Sequence, residues 1–304
     1  MPSNLPPARG LHSRRLRLLI VGCGDVGMRV LRALDRRWRV FALTTARERA
    51  PELRAVGAVP LLGDLDQPAT LGRLAGLADV VLHLAPPPAT GRDDPRTAAL
   101  LRALMRAGRV RRLVYVSTTG VYGDCGGAWV DESRPPRPAT DRARRRVDAE
   151  ARVRWYARAG GSRVAILRAP GIYAFDRADG DPRERVRRRT PALAAEHDVH
   201  TNHIHADDLA RACVVALLRA ASPRAFNVND DDQALLGDYL DRVAARAGLA
   251  PVPRLTRQQA ARELSPMQMS FLGESRRLGN RRLKRELRLR LRYPTIEAAF
   301  AAGP

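Results

Sequence analysis

Ten residues near the start of the chain carry its clearest chemical signal: the apolar run Leu18-Leu19-Ile20-Val21 breaks directly into Gly22-Cys23-Gly24-Asp25-Val26-Gly27. A strand that ends in G-x-G-x-x-G and feeds a helix suits a dinucleotide. Gly22 permits the tight turn out of the strand, Gly24 lets backbone approach a pyrophosphate with no Cβ in the way, and Gly27 lets the helix lie close to the strand. The pyrophosphate then rests on amides at the helix N-terminus, where the dipole favours negative charge. A glycine turn that only packs is the blander reading. It is the weaker one here because Val26, Val30, Leu31 and Leu34 recur at helical spacing immediately after the turn.

The next chemistry lies at the end of the second strand, where an acid would select a ribose hydroxyl. The chain offers Thr44, Thr45 and Arg47 there, with no acid before Glu48. Hydroxyls beside a guanidinium favour a 2′-phosphate, so NADP is expected ahead of NAD; the competing reading makes Arg47 one more surface arginine. Asp64 and Leu65, after a third strand, fall near the adenine, while Leu84, Ala85 and Pro86 line the same cleft after a fourth. Ser117, at the end of a fifth strand, and Pro170, after a sixth, complete the expected cofactor contacts.

Val116-Ser117-Thr118-Thr119-Gly120-Val121-Tyr122-Gly123 resembles the extended short-chain dehydrogenase/reductase family, the group of nucleotide-sugar epimerases and dehydratases. The resemblance extends through Ile204-His205-Ala206-Asp207-Asp208 to Tyr293-Pro294. It implies a Tyr-x-x-x-Lys on the following helix, the tyrosine as acid/base and the lysine as its activator and ribose ligand. Counted back from Glu150, those places hold Arg142 and Arg146. A guanidinium stays protonated and cannot replace a tyrosinate as proton acceptor. In lacking both residues the chain resembles the atypical YeeZ-like branch of the family. Thr118 matches the family's substrate-side hydroxyl, and its plainer role is to cap a turn. With Arg142 in the tyrosine's place, Thr118, Tyr122, a histidine or water is left as proton source. His205 and Arg183 are candidate substrate contacts, Arg183 through an anionic group. His197, His200, His203 and His205 do not read as a metal site: His203 and His205 alternate on an extended segment, no pair has helical i, i+4 spacing, and Asp207 reads as a helix N-cap.

These residues need a sheet whose strand ends meet at one edge. Apolar runs at 39–43, 59–64, 78–84, 113–117, 164–168 and 225–228 alternate with helical patterns at 71–77, 97–107, 140–159 and 207–220. That rhythm predicts a Rossmann-type doubly wound α/β fold with a parallel sheet. Residues 14–168 with 204–228 are expected to form the NAD(P)-binding domain. Residues 169–203 and 229–304, including a helix at 235–247, are expected to form a smaller substrate-covering lobe, and residues 1–13 a loose arm.

Composition narrows the classes. The 304 residues are enough for a full core, and no apolar run reaches the ~18 residues of a membrane span. Cys23, Cys125 and Cys213 are too few and too scattered for a disulfide framework or a zinc site, so a cytoplasmic protein is the expectation. The formal charge of +22 invites nucleic-acid binding, but Lys284 is the only lysine and the arginines are spread along the chain. Charge alone supplies only sequence-independent affinity. The partner expected instead is a small anionic or sugar-like molecule, with room for a homodimer. Two functions compete: an oxidoreductase or epimerase-like enzyme, and a cofactor-binding sensor without turnover.

Overall fold

The computed structural model describes residues 15–108 and 110–303, so the arm expected at 1–13 lies outside the described residues. The first half of the chain builds β1 (Leu16–Val21), α1 (Asp25–Ala33), β2 (Trp38–Thr44), α2 (Ala50–Ala55), β3 (Val59–Leu62), β4 (Val80–His83), α3 (Pro95–Met105) and β5 (Arg112–Thr118). After a two-residue strand β6 (Trp129–Val130) come α4 (Asp141–Gly160), β7 (Arg163–Ala169), β8 (Gly171–Tyr173), α5 (Pro182–Arg187), β9 (Ala192–Leu193), β10 (His203–His205), α6 (Ala206–Arg219) and β11 (Arg224–Asn227). The remainder is α7 (Leu236–Ala247), β12 (Arg254–Leu255), α8 (Arg257–Glu263), α9 (Pro266–Leu272), β13 (Arg277–Leu278), α10 (Arg281–Glu286) and α11 (Ile296–Ala301).

Seven parallel strands form the central sheet in the order β3-β2-β1-β4-β5-β7-β11. The expected Rossmann-type fold is present. Leu18–Val21 and Val80–His83 are buried throughout, as strands covered on both faces must be, which is why they read as unbroken apolar runs. One face is covered by α1, α6 and Leu283, Leu287 and Leu289 of the tail; the other by α3 and α4, through Leu100, Leu104, Ala149 and Val153. The order reverses between β1 and β4. Ligands bind outside the carboxyl ends of the strands at such a switch point.

A further core gathers Tyr173, Val186, Leu193, Val199, Leu236, Leu240, Val243 and Ile296 from beyond β7. Two short parallel ladders, β8 with β10 and β9 with β12, stitch these later segments together, and a third, β6 with β13, ties the tail back to the segment between β5 and α4. Two expectations need correction. The helix expected at 71–77 is a 3-10 segment at Pro68–Leu74, because Pro68 opens it and Gly76, at φ +67°, turns the chain away. The cap of α6 is His205 rather than Asp207. Among the described residues no helix is long and apolar enough to cross a membrane.

Candidate functional site

The three glycines between β1 and α1 are under three different constraints. Gly22 has φ +86°, and a Cβ there would stand 2.4 Å from the Ala85 amide nitrogen. That approach exists because the Val21 carbonyl accepts from the amides of Leu84 (2.8 Å) and Ala85 (2.9 Å), locking the turn to the end of β4. A Cβ on Gly27 would meet Cys23 Sγ at 3.0 Å and Leu84 Cδ1 at 3.4 Å, so the helix lies tight against the cleft floor. At Gly24 nothing comes within 4 Å. Gly24 is also the N-cap of α1 and offers no side-chain acceptor. An open approach onto unsatisfied helix amides fits a pyrophosphate.

The residues around the turn are held firmly. Cys23 is buried and its thiol is pushed up to about 11 by that burial, against the pull of Arg49, so it is a packing residue. Asp25 accepts from Arg29 and pairs with Arg177, while Val26 packs against the main core. Arg29 also reaches Asp176 and Asp207, tying α1 to α6 and to the loop after β8.

On the adenosine side, Thr44 is buried and its Oγ1 accepts from the Ala46 amide at 3.2 Å. Thr45 and Arg47 are exposed. The guanidinium that touches the glycine turn is Arg49: its Nη1 donates to the Cys23 carbonyl at 2.7 Å, and Glu52 steadies its other nitrogens at 3.0 and 2.9 Å. Sequence reasoning missed Arg49. Its one signal was the i, i+3 pairing with Glu52. Asp64 accepts from the Asp66 amide (2.9 Å) and Gln67 Nε2 (3.3 Å), and Leu65 is buried beneath it. Arg96 bridges Asp66 to the Pro86 carbonyl and closes that rim. Pro170 is half-buried directly after β7.

At the carboxyl end of β5, Thr118 Oγ1 accepts from the Gly120 amide at 3.3 Å and caps the turn, while Ser117 is buried. Tyr122 is 1% exposed. Its hydroxyl donates to Asn227 Oδ1 (2.7 Å) and accepts from Arg168 (2.9 Å), and burial pushes the phenol up. Tyr122, one of the expected proton sources, thus has its hydroxyl bonded on both sides within the protein. Arg168, 2% exposed, also grips both oxygens of Glu150 at 3.0 and 2.8 Å, and Arg154 adds a bond to the same carboxylate.

Arg146 donates from Nη1 to the Tyr115 hydroxyl and the Val116 carbonyl, both at 3.0 Å. Burial pushes Tyr115 up to about 12, against the opposing effect of Arg146. Arg142, one turn earlier, is exposed, and partial desolvation together with the charges of Arg146 and Arg145 loosens its hold on the proton. Under this wall, His83 is buried with Nε2 2.8 Å from Thr97 Oγ1, and burial pushes it down to about 3.

The two candidate substrate contacts are engaged elsewhere. His205, 6% exposed, accepts the Asp207 amide on Nδ1 at 3.2 Å and lies between the rings of Tyr293 (3.8 Å) and Tyr173 (5.2 Å). Arg183 is bound to Asp181 at 2.9 Å and lies 4.5 Å over the ring of Phe175. Among the described residues no three His, Cys, Asp or Glu side chains group closely enough to hold a metal ion.

Residues 18–229 match the NAD dependent epimerase/dehydratase family. Protein YeeZ of Escherichia coli K12 is 26% identical over 244 residues, covering 77% of this chain and 85% of that protein. A functionally unknown conserved protein from Silicibacter pomeroyi superposes with a TM-score of 0.78 at 30% identity, covering 94% of this chain and 97% of its own. A UDP-glucuronic acid 4-epimerase from Bacillus cereus, solved with UDP-glucuronic acid and NAD, superposes with a TM-score of 0.72 at 19% identity, covering 93% and 96%.

Proposed function

The chain belongs to the NAD dependent epimerase/dehydratase family, and on that premise we propose that it binds a nicotinamide dinucleotide, NADP(H) ahead of NAD(H), and oxidises or reduces a small anionic or sugar-like substrate. The observation that carries this reading is the glycine cradle: an open Gly24 on an uncapped helix start, with a guanidinium, Arg49, at its lip. We assign residues 14–168 with 204–228 to holding the cofactor, and residues 169–203 with 229–304 to covering the substrate. When bound, the cofactor supplies hydride chemistry; the chain supplies position, charge and the Thr118 hydroxyl.

Calorimetry tests the cofactor choice. NADPH is expected to bind more tightly than NADH, with the ratio narrowed by Arg49→Ala and by Arg47→Ala. Equal affinities, or tighter NADH, overturn the NADP preference. A general acid/base contributes about 10²–10⁴-fold to rate, and neither Arg142 nor Arg146 supplies one. Nucleotide sugars are therefore expected not to be epimerised or dehydrated at ordinary rates. A panel assay following both product and nicotinamide absorbance checks this, and brisk turnover of any member refutes it.

A second reading, a cofactor-bound sensor without turnover, is favoured by one feature: Tyr122 spends its hydroxyl on Asn227 and Arg168 inside the protein, while Thr118 Oγ1 and His205 Nδ1 each accept a backbone amide. It predicts cofactor-dependent hydrogen-exchange protection around Asp176 and Arg177 with no substrate that changes nicotinamide absorbance.

A further inference from the structure

We propose that Arg185 of α5, with the hydroxyls of Tyr173 and Tyr239 and the imidazole of His203, holds the carboxylate of a carboxylic-acid substrate. The inference rests on the reading above of a small anionic substrate and names its charged group. The segment that carries these residues leaves the sheet at the carboxyl end of β7, the side on which an open α/β sheet binds its ligands. On α5, Arg183 is spent on Asp181 and Arg187 on Glu184. Arg185 lies between them, half-buried, and among the described residues its guanidinium has no hydrogen bond and no ion pair. Burial loosens its hold on the proton, and the opposing influence is the Tyr239 phenol, which burial keeps neutral. The surrounding acids are already taken: Asp198, Asp238 and Asp241 pair with Arg254, and Asp232 and Glu297 with Arg242. Asp230 is 1% exposed and is pushed well above the carboxylate range by burial beside Asp232, so it supplies no counter-charge. The buried arginines Arg29 and Arg168, by contrast, are paired with carboxylates.

The groups beside Arg185 lack acceptors too. The Tyr239 ring stacks on His203 with centroids 4.0 Å apart, and Tyr173 meets the same imidazole edge-on at 6.2 Å. Tyr173 is 3% exposed and Tyr239 2%, yet among the described residues neither hydroxyl has a hydrogen-bond partner, nor does His203 Nδ1. Burial, helped by the charges of Arg185 and Arg242, pushes His203 down to about 3, so its ring is neutral. Its Nε2 lies 3.3 Å from Thr201 Oγ1, and a ring that accepts there carries its proton on Nδ1. Two phenols, that N–H and a guanidinium are all able to donate. Leaving such groups buried and unbonded is costly, and an oxyanion supplies the acceptor they lack. One guanidinium among neutral donors carries a single positive charge, which matches a carboxylate monoanion better than a doubly charged phosphate, and the planar fork suits two carboxylate oxygens.

Ligand-observed NMR titration of the full chain, saturated with NADPH, tests this with pyruvate and levulinate, oxo acids that carry a reducible carbonyl, each beside its neutral carboxamide. An acid is expected to bind and its amide not. Arg185→Gln should weaken the acid about tenfold or more, and Tyr239→Phe, which removes only a hydroxyl, about threefold. Tyr239→Phe carries the test if Arg185→Gln does not fold. Arg188→Gln, at an exposed position on the same segment, should change nothing. No binding of either acid, acids and amides binding alike, acid binding unchanged in the folded Arg185 and Tyr239 variants, or an equal loss in Arg188→Gln overturns the proposal while the cofactor reading stands. Inorganic phosphate that binds more tightly than either acid, in an Arg185-dependent way, overturns the carboxylate assignment. Failure of NADPH itself to bind, read by calorimetry on the same samples, overturns the cofactor reading, and this inference with it.

Discussion

Gly22 and Gly24 stand two residues apart under opposite constraints, and the difference separates folding from binding. At Gly22 both the left-handed φ and the 2.4 Å approach to Ala85 forbid a side chain, so Gly22→Ala is expected to cost at least about 1–3 kcal/mol of stability. At Gly24 the space is open, so Gly24→Ala is expected to stay within about 0.5 kcal/mol of the parent while weakening dinucleotide binding. Urea unfolding beside calorimetric titration reads both quantities on the same samples. His83 makes a pH prediction at the same scale. Its folded pKa lies near 3 against an ordinary value near 6.5, so the unfolded chain takes up the proton first as pH falls. Its stabilising contribution is complete above pH ~6.5 and declines by about 1.4 kcal/mol per pH unit toward pH ~3. Asp230, raised by burial and by Asp232, has the opposite dependence. The clean measurement is therefore the difference between the parent and His83→Gln: the variant should show the shallower acid decline, and parallel curves would refute the assignment.

Between elements, a buried clamp joins the turn after β5 to α4, β7 and β11 through Tyr122, Glu150, Arg168 and Asn227. Arg168→Met leaves the buried Glu150 charge with the Arg154 bond alone and is expected to cost about 3–5 kcal/mol, whereas replacing both residues by apolar ones should recover much of that loss. Denaturant unfolding of the two singles and the double decides it. The same clamp marks where the sequence stops being legible. The V-Y-G segment identifies β5 and the turn after it, yet nothing in its pattern says that the Tyr122 hydroxyl faces Arg168, forty-six residues later. The sheet was readable because each strand is a local apolar run, and the cradle because glycine positions are set by local backbone. The two-residue ladders, the cap on α6 and Arg49's reach to Cys23 depend on distant partners. In a chain this rich in arginine, spacing alone cannot single out Arg49 from Arg47.

Over the whole molecule, a formal charge of +22 would suggest a polyanion-binding surface if the arginines were free and aligned. Many are not. Arg17 is paired with Asp79, Arg96 with Asp66, Arg224 with Glu286, Arg242 with Asp232 and Glu297, and Arg254 with Asp198 and Asp241, on elements scattered around the sheet and the further core. What remains is a diffuse positive field. Such a field attracts phosphates through counterion release and reads no base edges. Binding to a random-sequence DNA duplex is therefore expected at low ionic strength and should fall at least tenfold between ~50 and ~200 mM salt. Duplexes of different sequence should compete equally throughout. Anisotropy titrations across that salt range, with unlabelled competitors, make the distinction: a complex that persists at physiological ionic strength and discriminates between sequences would mean that these arginines form a dedicated nucleic-acid surface rather than an incidental one.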